Sequence, residues 1–373
     1  MDKITYTSNE GKLYFFNFSP WRMMRIRSFF YAKNNKKIIC KELNDALAQG
    51  LDKSSKIFIY GTATIPYLEK YSQEKNIPMY RIEDAFIRSI SLGSGFAKPY
   101  SLIIDSKGLY INPNKPCELE DMLNSLQVDK TLLQRARKVR ETIVQAKLSK
   151  YNYQNHEKIS IENINNKKII LIPGQVEDDM SIKYGACGLT SKDLLQKVRE
   201  KNPSAYILYK IHPDVLSGNR KGLIDKSILL QYVNKIITDI SIDSCIEACD
   251  EVHTLTSQVG FDALLREKKV ITYGMPFYAG WGLTEDIQKN PQRKRVLTID
   301  EFIAVSLIKY PRYISPRTDK FCEIEQTLEE IIELQKKYFN NKLYKFKVDT
   351  LSYILPRIRV SVRYILKPLK IKI

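Results

Sequence analysis

Three consecutive acids, Glu177, Asp178 and Asp179, follow a short apolar run that ends in Pro-Gly. The run IILIP at residues 169–173 is typical of a buried parallel strand, and Pro-Gly marks its exit into a loop. Ligands of open α/β sheets bind beyond the carboxyl ends of strands, so these carboxylates occupy a position where chemistry usually takes place. The alternative is a solvated acidic loop.

A lysine and a histidine stand at the end of another predicted strand. The run AYILYKI at residues 205–211 contains Lys210 and is followed at once by His212-Pro213. A histidine here can donate to a phosphate oxygen or protonate a leaving phosphate, and the lysine supplies positive charge for an anion. A structural His-Pro pair and a lysine that faces water are the alternatives.

Thr256-Ser257 stands between a strand predicted at residues 251–255 and a helix predicted to follow it. Free backbone N–H groups, the helix dipole and two hydroxyls make such a helix start a seat for phosphate. An ordinary N-cap pair has the same sequence. Because parallel strands end at one edge of a sheet, we expect these hydroxyls to lie near His212 and Asp179.

A second acidic pair, Glu83-Asp84, follows another predicted strand and is flanked by Arg81 and Arg88. Neighbouring arginines suit a fixed anion better than a free base, because service as a base needs partial desolvation. The alternative interpretation is an ion-paired loop.

The order of predicted elements indicates an α/β fold with strand-helix-strand units in both halves. Predicted strands cover residues 56–60, 78–82, 169–173, 205–211, 251–255 and 270–273, and a hairpin is predicted over residues 101–105 and 108–111. A chain of 373 residues is too long for one ordinary core. We therefore predict domains at residues 1–160 and 161–340, followed by a tail at 341–373.

The chain has a strong excess of positive charge. Sixty Lys and Arg against 42 Asp and Glu give a net charge of +18, which indicates an anionic partner. Nine cations and one acid fall in residues 341–373, interleaved with apolar residues. This pattern fits an interfacial membrane anchor or a partner-docking arm, with a disordered basic tail as the alternative. The basic residues form no nucleic-acid-binding module, so no nucleic-acid partner is expected.

Further features of the sequence bear on compartment and cofactors. No apolar run reaches the roughly 18 residues needed to cross a bilayer, and the N-terminus lacks a signal-peptide pattern, so we expect a cytoplasmic protein. The six cysteines are scattered without a CxxC pair, which predicts reduced thiols and no structural metal. The motifs GxGxxG and GxxxxGK[ST] are absent, which disfavours dinucleotide and P-loop binding.

Five motifs, taken in order between residues 56 and 290, resemble those of the capsule polysaccharide β-Kdo transferases of the KpsC type: EDAFIRSISLGSG, PGQVEDDMSI, YKIHPDVLSGNRKG, EVHTLTSQVGFDALL and YGMPFYAGWGLT. Full-length members of that family carry two such modules in tandem, and this chain has the length of a single module. The family is similar to GT-B glycosyltransferases, which implies two Rossmann-like domains with a cleft between them.

The resemblance also implies an activity, namely retaining transfer of Kdo from CMP-Kdo without a metal or other cofactor. The implied acceptor is a lipid-linked glycan at the cytoplasmic face of the inner membrane, where the basic tail would dock. Retention by double displacement needs a carboxylate nucleophile, for which we favour Asp179 over Asp178. Glu83 and Asp84 match an acidic pair that would act as general base or position the acceptor. The resemblance implies that His212-Pro213 and Thr256-Ser257 hold the CMP phosphate. Gln175 and Lys210 are further candidates for binding the donor.

The sequence departs from the family pattern at Ala85, where glycine is expected. A methyl group there is expected to restrict the loop that carries Asp84. Other functions stay open at this point: transfer of another CMP-activated nonulosonic acid, such as a sialic acid, or a non-catalytic scaffold that holds an anionic glycan or nucleic acid. A module that binds CMP but has lost catalysis is a further alternative.

Overall fold

The computed structural model describes residues 11–91, 97–154, 156–161, 166–216, 220 and 222–351. These residues form two compact units, each built on one β-sheet. Unit 1 takes its described residues from 1–88, 98–137 and 300–330, and unit 2 takes them from 89–97, 138–299 and 331–373.

The described strands and helices alternate along much of the chain, as an α/β fold requires. The strands are β1 (Gly11–Phe16), β2 (Asn35–Cys40), β3 (Lys56–Tyr60), β4 (Met79–Asp84), β5 (Ser101–Asp105), β6 (Ile169–Pro173), β7 (Tyr206–Lys210), β8 (Lys235–Ile237), β9 (Glu251–Thr254), β10 (Lys269–Thr272), β11 (Glu285–Asp286), β12 (Arg312–Ile314) and β13 (Phe321–Cys322).

The helices include two long ones, α5 and α13, which have residues in both units. The helices are α1 (Pro20–Ile26), α2 (Leu43–Ala48), α3 (Leu68–Glu74), α4 (Glu118–Ser125), α5 (Lys130–Gln145), α6 (Met180–Gly185), α7 (Ser191–Lys201), α8 (Pro213–Leu216), α9 (Lys226–Tyr232), α10 (Ile242–Glu247), α11 (Gln258–Leu265), α12 (Ile299–Ile303), α13 (Ile324–Asn340) and α14 (Lys342–Asp349). A 3₁₀ turn spans Arg27–Phe30 and a π-helical segment spans Ala304–Lys309.

The sheet of unit 1 has the order β13-β12-β5-β4-β3-β1-β2. The strands from β4 to β2 are parallel, and β5, β12 and β13 pair antiparallel to their neighbours. Leu13 and Phe15 of β1 pack on one face, while Tyr14 and Phe16 pack on the other. Because both faces of the sheet are covered there, β1 and β3 are apolar at successive positions rather than at alternate ones.

The sheet of unit 2 is parallel throughout and has the order β11-β10-β9-β6-β7-β8. Strand β6 lies between β7 and β9. The loops that leave these three strands therefore emerge side by side at one edge of the sheet. All six strands predicted from the sequence are formed, including the parallel pair β3 and β4.

The predicted hairpin over residues 101–111 is wrong in its second half. Strand β5 forms, but it pairs with β4 and β12, and residues 108–111 are not a strand. The buried carboxylate of Asp105 explains the difference, since it accepts N–H groups from Lys107 and Gly108 in the turn. It also accepts the N–H of Glu118 at the start of α4, which fixes the chain as a loop rather than a strand.

The division into units differs from the predicted domain boundaries at residues 160 and 340. Residues 300–330 belong to unit 1, because β12 pairs with β5 of that sheet. Most of the predicted basic tail, residues 352–373, lies outside the described residues. Within the part of the chain that the structure describes, no helix has the length and apolar character needed to span a membrane.

Candidate active site

The loop after β6 is held closely against the end of β7. The N–H of Gly174 donates to the carbonyl oxygen of Lys210 at 2.8 Å. A Cβ atom at residue 174 would lie 2.8 Å from the hydroxyl of Tyr209 and 3.0 Å from the carbonyl oxygen of Lys210, so the approach requires glycine. The contact brings the acids that follow β6 to the end of β7.

The three acids of this loop make three different sets of contacts, although Asp178 and Asp179 both lie near Arg220. Glu177 accepts the N–H of Ser191 at 3.0 Å and so binds the first residue of α7. The Oδ1 atom of Asp178 lies 3.1 Å from Nη2 of Arg220 and 3.3 Å from its Nε. The loop is thus ordered by specific contacts, whereas a simple solvated loop would leave the acids interchangeable.

Asp179 is the N-cap of α6. Its Oδ1 atom accepts both the N–H of Ser181 at 2.9 Å and the hydroxyl of Ser181 at 2.8 Å. Its Oδ2 atom lies 3.9 Å from Nη2 of Arg220. The carboxylate thus faces the positive end of the α6 dipole and a guanidinium.

The structure brings His212 close enough to Asp179 for their charges to interact. Burial lowers the pKa of His212, while the negative charges of Asp214 and Asp179 oppose that shift. The Nδ1 atom accepts the N–H of Asp214 at 3.1 Å, so the neutral ring carries its proton on Nε2. Pro213 opens α8, where its missing N–H costs nothing. His212 can therefore donate a hydrogen bond through Nε2 near neutral pH.

The lowered pKa of His212 predicts a pH-dependent stability. The unfolded chain, with a histidine pKa near 6.5, binds more protons than the folded protein below that pH, so acidification destabilises the fold. In His212→Asn, which retains an acceptor for the N–H of Asp214, this contribution is lost. We expect the wild type to lose more stability than His212→Asn between about pH 7.5 and about pH 5.5. Urea unfolding at both pH values measures this; equal losses in the two proteins would contradict it.

The phosphate-binding position predicted at Thr256-Ser257 differs from the expectation in one respect. The backbone N–H groups of these two residues already have acceptors within the protein. The N–H of Thr256 donates to Gln175 Oε1, and the N–H of Ser257 donates to Thr254 Oγ1. Ser257 is the N-cap of α11 and its Oγ accepts the N–H of Val259. What this seat offers an anion is the helix dipole and the proton of the Ser257 hydroxyl.

The side chains of Gln175 and Lys210 bind different loops. The side chain of Gln175 is buried and joins the loop after β6 to the loop after β9, with Nε2 2.9 Å from Thr256 Oγ1. Lys210 is also buried, and its ammonium group donates to the carbonyl oxygen of Thr238 after β8. Burial lowers the pKa of Lys210.

The Gly/aromatic loop at residues 274–284 supports the start of α11. The hydroxyl of Tyr278 donates to the carbonyl oxygen of Ser257 at 2.5 Å. Trp281 is fully buried and donates from its ring nitrogen to the carbonyl oxygen of Phe277. The aromatic residues of this loop thus act as packing groups that hold Ser257 in place.

In unit 1, the acidic pair at the end of β4 is partly ion-paired. Asp84 contacts Nε of the buried Arg88 at 2.6 Å, and Glu83 accepts the N–H of Asp84 at 3.0 Å. Arg81 flanks the pair in the sequence, but in the structure its guanidinium binds Glu69. The backbone at Ala85 lies outside the left-handed region and its methyl group is buried, so this position does not demand glycine.

Burial raises the pKa of Tyr60 well above its ordinary value, and the charges of Asp84 and Glu83 add to the shift. The guanidinium of Arg22 lies 4.0 Å from the centre of the Tyr60 ring. A cation and a phenol therefore accompany the acidic pair, neither of which the sequence had connected with it.

Sequence reasoning also missed residues near Asp179. Ser181 carries a usable signal, because serine two residues after an aspartate that follows a strand is typical of a helix N-terminus. Lys150 carries no local signal, although its charge lowers the pKa of His212 together with burial. Lys150 follows α5 in the sequence, and only the fold brings it near His212.

Residues 61–313 match the family described as capsule polysaccharide biosynthesis protein. The chain is 37% identical over 332 residues to the capsule polysaccharide modification protein LipA of Neisseria meningitidis serogroup A, a match that covers 89% of this chain and 47% of LipA. It is 37% identical over 272 residues to the lipopolysaccharide-processing protein LpsZ of Rhizobium meliloti, covering 72% of this chain and 62% of LpsZ. The chain thus spans less than two thirds of the length of these curated relatives.

Two solved structures from Thermosulfurimonas dismutans are similar to this fold. The KpsC β-Kdo 2,7 transferase has a TM-score of 0.69 and 34% identity, and the match covers 87% of this chain and 99% of the solved one. The KpsC β-Kdo 2,4 transferase has a TM-score of 0.72 and 29% identity, covering 85% and 97%. Each likeness extends over nearly the whole of the solved chain.

Proposed function

Because the chain belongs to the family of capsule polysaccharide biosynthesis proteins, we propose that it is a glycosyltransferase that moves Kdo from CMP-Kdo to a glycan acceptor. The observation that carries the proposal is that Asp179, His212 and Ser257 stand in the loops after β6, β7 and β9, which are neighbouring strands of the parallel sheet, in a chain similar to two β-Kdo transferases. A GT-B arrangement of two Rossmann-like domains belongs to the same proposal.

The first half of the proposed reaction forms a glycosyl-enzyme ester. The carboxylate of Asp179 donates an electron pair to the anomeric carbon of Kdo, while the bond from that carbon to the phosphate oxygen breaks and its electron pair leaves with CMP. The Nε2–H of His212 and the hydroxyl of Ser257 donate hydrogen bonds to the departing phosphate. Neutral His212 is supported by its lowered pKa, caused by burial.

The second half transfers the sugar and restores the enzyme. The acceptor hydroxyl attacks the anomeric carbon, its proton passes to a base, and the Asp179 carboxylate leaves. We assign the base or the acceptor-positioning role to Glu83 and Asp84. Two inversions at one carbon return the starting configuration, so the proposed enzyme is retaining. The mechanism uses no metal and no cofactor.

We further propose that the acceptor is lipid-linked and that transfer takes place at the cytoplasmic surface of the inner membrane. Leu343 and Phe346 of α14 are exposed, and three lysines lie on the same short helix. The sequence from 352 to 373 adds six cations and no acid. Apolar side chains among cations are the pattern that binds an anionic bilayer surface.

One assay tests these points together. The protein is incubated with CMP-Kdo and a fluorescent Kdo-lipid acceptor in anionic vesicles, with and without EDTA. The expected result is a β-linked Kdo product, unaffected by EDTA, and protein that sediments with anionic but not with neutral vesicles. Absence of product would contradict the proposed transferase, and CMP binding without turnover would favour a scaffold.

Donor competition in one tube separates the sugar classes. CMP-Kdo and CMP-sialic acid are offered at equal concentration with the same acceptor. Predominant transfer of Kdo is expected, whereas predominant transfer of the other sugar would replace CMP-Kdo by another CMP-activated nonulosonic acid.

A further inference from the structure

A chain of side-chain hydrogen bonds ends on the carboxylate of Asp179. Gln175 Nε2 donates to Thr256 Oγ1 at 2.9 Å, and Thr256 Oγ1 donates to Ser181 Oγ at 3.3 Å. Ser181 Oγ donates to Asp179 Oδ1 at 2.8 Å. Each donor points toward the carboxylate, so the polarity of the chain matches an anion at its end.

The direction of this chain is set at Gln175. Its Oε1 accepts the Thr254 hydroxyl and the Thr256 N–H, both at 3.2 Å, so its amide nitrogen must point at the Thr256 hydroxyl. Gln175 and Thr256 are both buried. Because water does not compete at these positions, the hydroxyl of Thr256 is committed to receiving one hydrogen bond and donating the other.

Ser181 divides the two oxygens of Asp179 between different tasks. Its N–H and its hydroxyl both bind Oδ1, which uses the acceptor capacity of that atom. The hydrogen bonds leave Oδ2 as the atom 3.9 Å from the Arg220 guanidinium. Two donors on one oxygen also stop rotation of the carboxylate about its side-chain bonds.

We propose that Ser181 is the positioning residue of the Asp179 nucleophile, and that Thr256 acts behind it rather than as a phosphate ligand. The inference rests on the proposed function. Asp179 attacks through Oδ2, whose electron pair forms the bond to the anomeric carbon while the electron pair of the breaking bond leaves with CMP. Ser181 and Thr256 keep their protons in this step. In this proposal the phosphate of CMP is bound by Ser257 and His212.

The N-terminus of α9 provides a matched control within unit 2. There Asp225 is the N-cap, and it accepts both the N–H and the hydroxyl of Ser227. The local motif is the same as that of Asp179 and Ser181, but it lies on a helix outside the candidate site. Ser227→Ala therefore measures what the serine hydroxyl contributes to a helix N-terminus as such.

The test compares Ser181→Ala, Ser181→Thr and Ser227→Ala by steady-state kinetics and by the rate of glycosyl-enzyme formation in single-turnover experiments with CMP-Kdo. We expect Ser181→Ala to lower kcat about 10- to 100-fold with KM for CMP-Kdo changed less than about twofold, because a fixed nucleophile lowers the barrier without binding the donor. Ser181→Thr retains the hydroxyl and should recover most of the rate. Ser227→Ala should match the wild type.

Thr256→Val removes the second link, and we expect it to lower kcat with little change in KM for CMP-Kdo. Equal rates in Ser181→Ala and Ser227→Ala, with a wild type that forms the adduct, would overturn the positioning role and leave the proposed function intact. A raised KM with unchanged kcat in Thr256→Val would show that Thr256 binds the donor phosphate. That result would overturn its proposed place in the series of hydrogen bonds that ends on Asp179. A wild type that forms neither adduct nor product overturns the proposed function itself, and this inference with it.

Discussion

Replacing Asp179 with asparagine should lower kcat for Kdo transfer by at least about 10³-fold, because an amide cannot form the glycosyl ester. Asparagine retains an oxygen for the N–H of Ser181, so α6 should still be capped. The measurement is product formation from CMP-Kdo under saturating conditions, together with mass-spectrometric mapping of the modified residue in wild-type protein incubated without acceptor.

Asp178→Asn is the control for this prediction. Asp178 is half-exposed and paired with Arg220, and such surface pairs contribute about 0–1 kcal/mol. Its activity should stay within about tenfold of the wild type. A glycosyl adduct that maps to Asp178, or Asp179→Asn with activity close to the wild type, would exclude Asp179 as the nucleophile.

Replacing Arg266 with methionine should destabilise the protein by about 3–5 kcal/mol, the typical cost of breaking a buried ion pair by removing one partner. The guanidinium contacts Oδ1 of Asp243 through Nε at 2.8 Å and Nη2 at 2.7 Å, and both side chains are only 7% exposed. It also donates to the carbonyl oxygens of Asp262 and Leu148. Lys147 stays 3.7 Å from the other oxygen of Asp243 but is less buried than Arg266. The free energy of unfolding in urea measures the effect.

Two variants make the result specific. Lys269→Met removes an exposed cation of the same unit, 3.1 Å from Glu285, and should cost no more than about 1 kcal/mol. Combining Arg266→Met with Asp243→Asn removes both charges, so part of the lost stability should return. A cost below about 1 kcal/mol for Arg266→Met alone would show that the buried pair does not hold unit 2 together.

Asp262, four residues before Arg266 on α11, adds a pH-dependent element. Burial raises the pKa of Asp262 to about 7, against the opposing charges of Arg266 and Lys150. A carboxyl group whose pKa is raised in the folded state contributes stability as the pH falls through that value. This contribution has the opposite sign to that of His212, and a comparison of the wild type with His212→Asn separates the two because Asp262 is present in both.

Much of unit 2 was predictable because the local sequence pattern is enough to predict most of its strands. Strands β6, β7 and β10 are short segments rich in apolar residues, and β9 was predicted from its place before Thr256-Ser257; each of them forms. Strands β1 and β2 were missed, since the charged residues of NKKIIC hide a strand whose place is set by pairing with β1. The short strands β12 and β13 likewise become recognisable only through their pairing with the sheet of unit 1.

The candidate site divides in the same way. The acids after β6, the histidine after β7 and the hydroxyls after β9 were predicted from residue type and position relative to a strand end, and the structure places β6 between β7 and β9. Their part in the chemistry stays a prediction. The prediction of a free phosphate seat failed for the N–H groups of Thr256 and Ser257, because their acceptors include Gln175, 81 residues away from Thr256. The resemblance to the KpsC-type transferases is confirmed by the family match and by the two solved structures.

The sequence by itself determined the family, the α/β class and the side chains that gather at the edge of the parallel sheet, because these follow from local periodicity and from motif order. Only the tertiary structure distinguished the three neighbouring acids, giving Glu177 to α7, Asp178 to Arg220 and Asp179 to Ser181. The physical reason is that a carboxylate's role depends on the donors around it. The donors to Glu177 and Asp178 come from Ser191 and Arg220, 14 and 42 residues away, and no local pattern encodes these contacts. The donor to Asp179 is its near neighbour Ser181, whose hydroxyl is in turn bound by Thr256, 75 residues away.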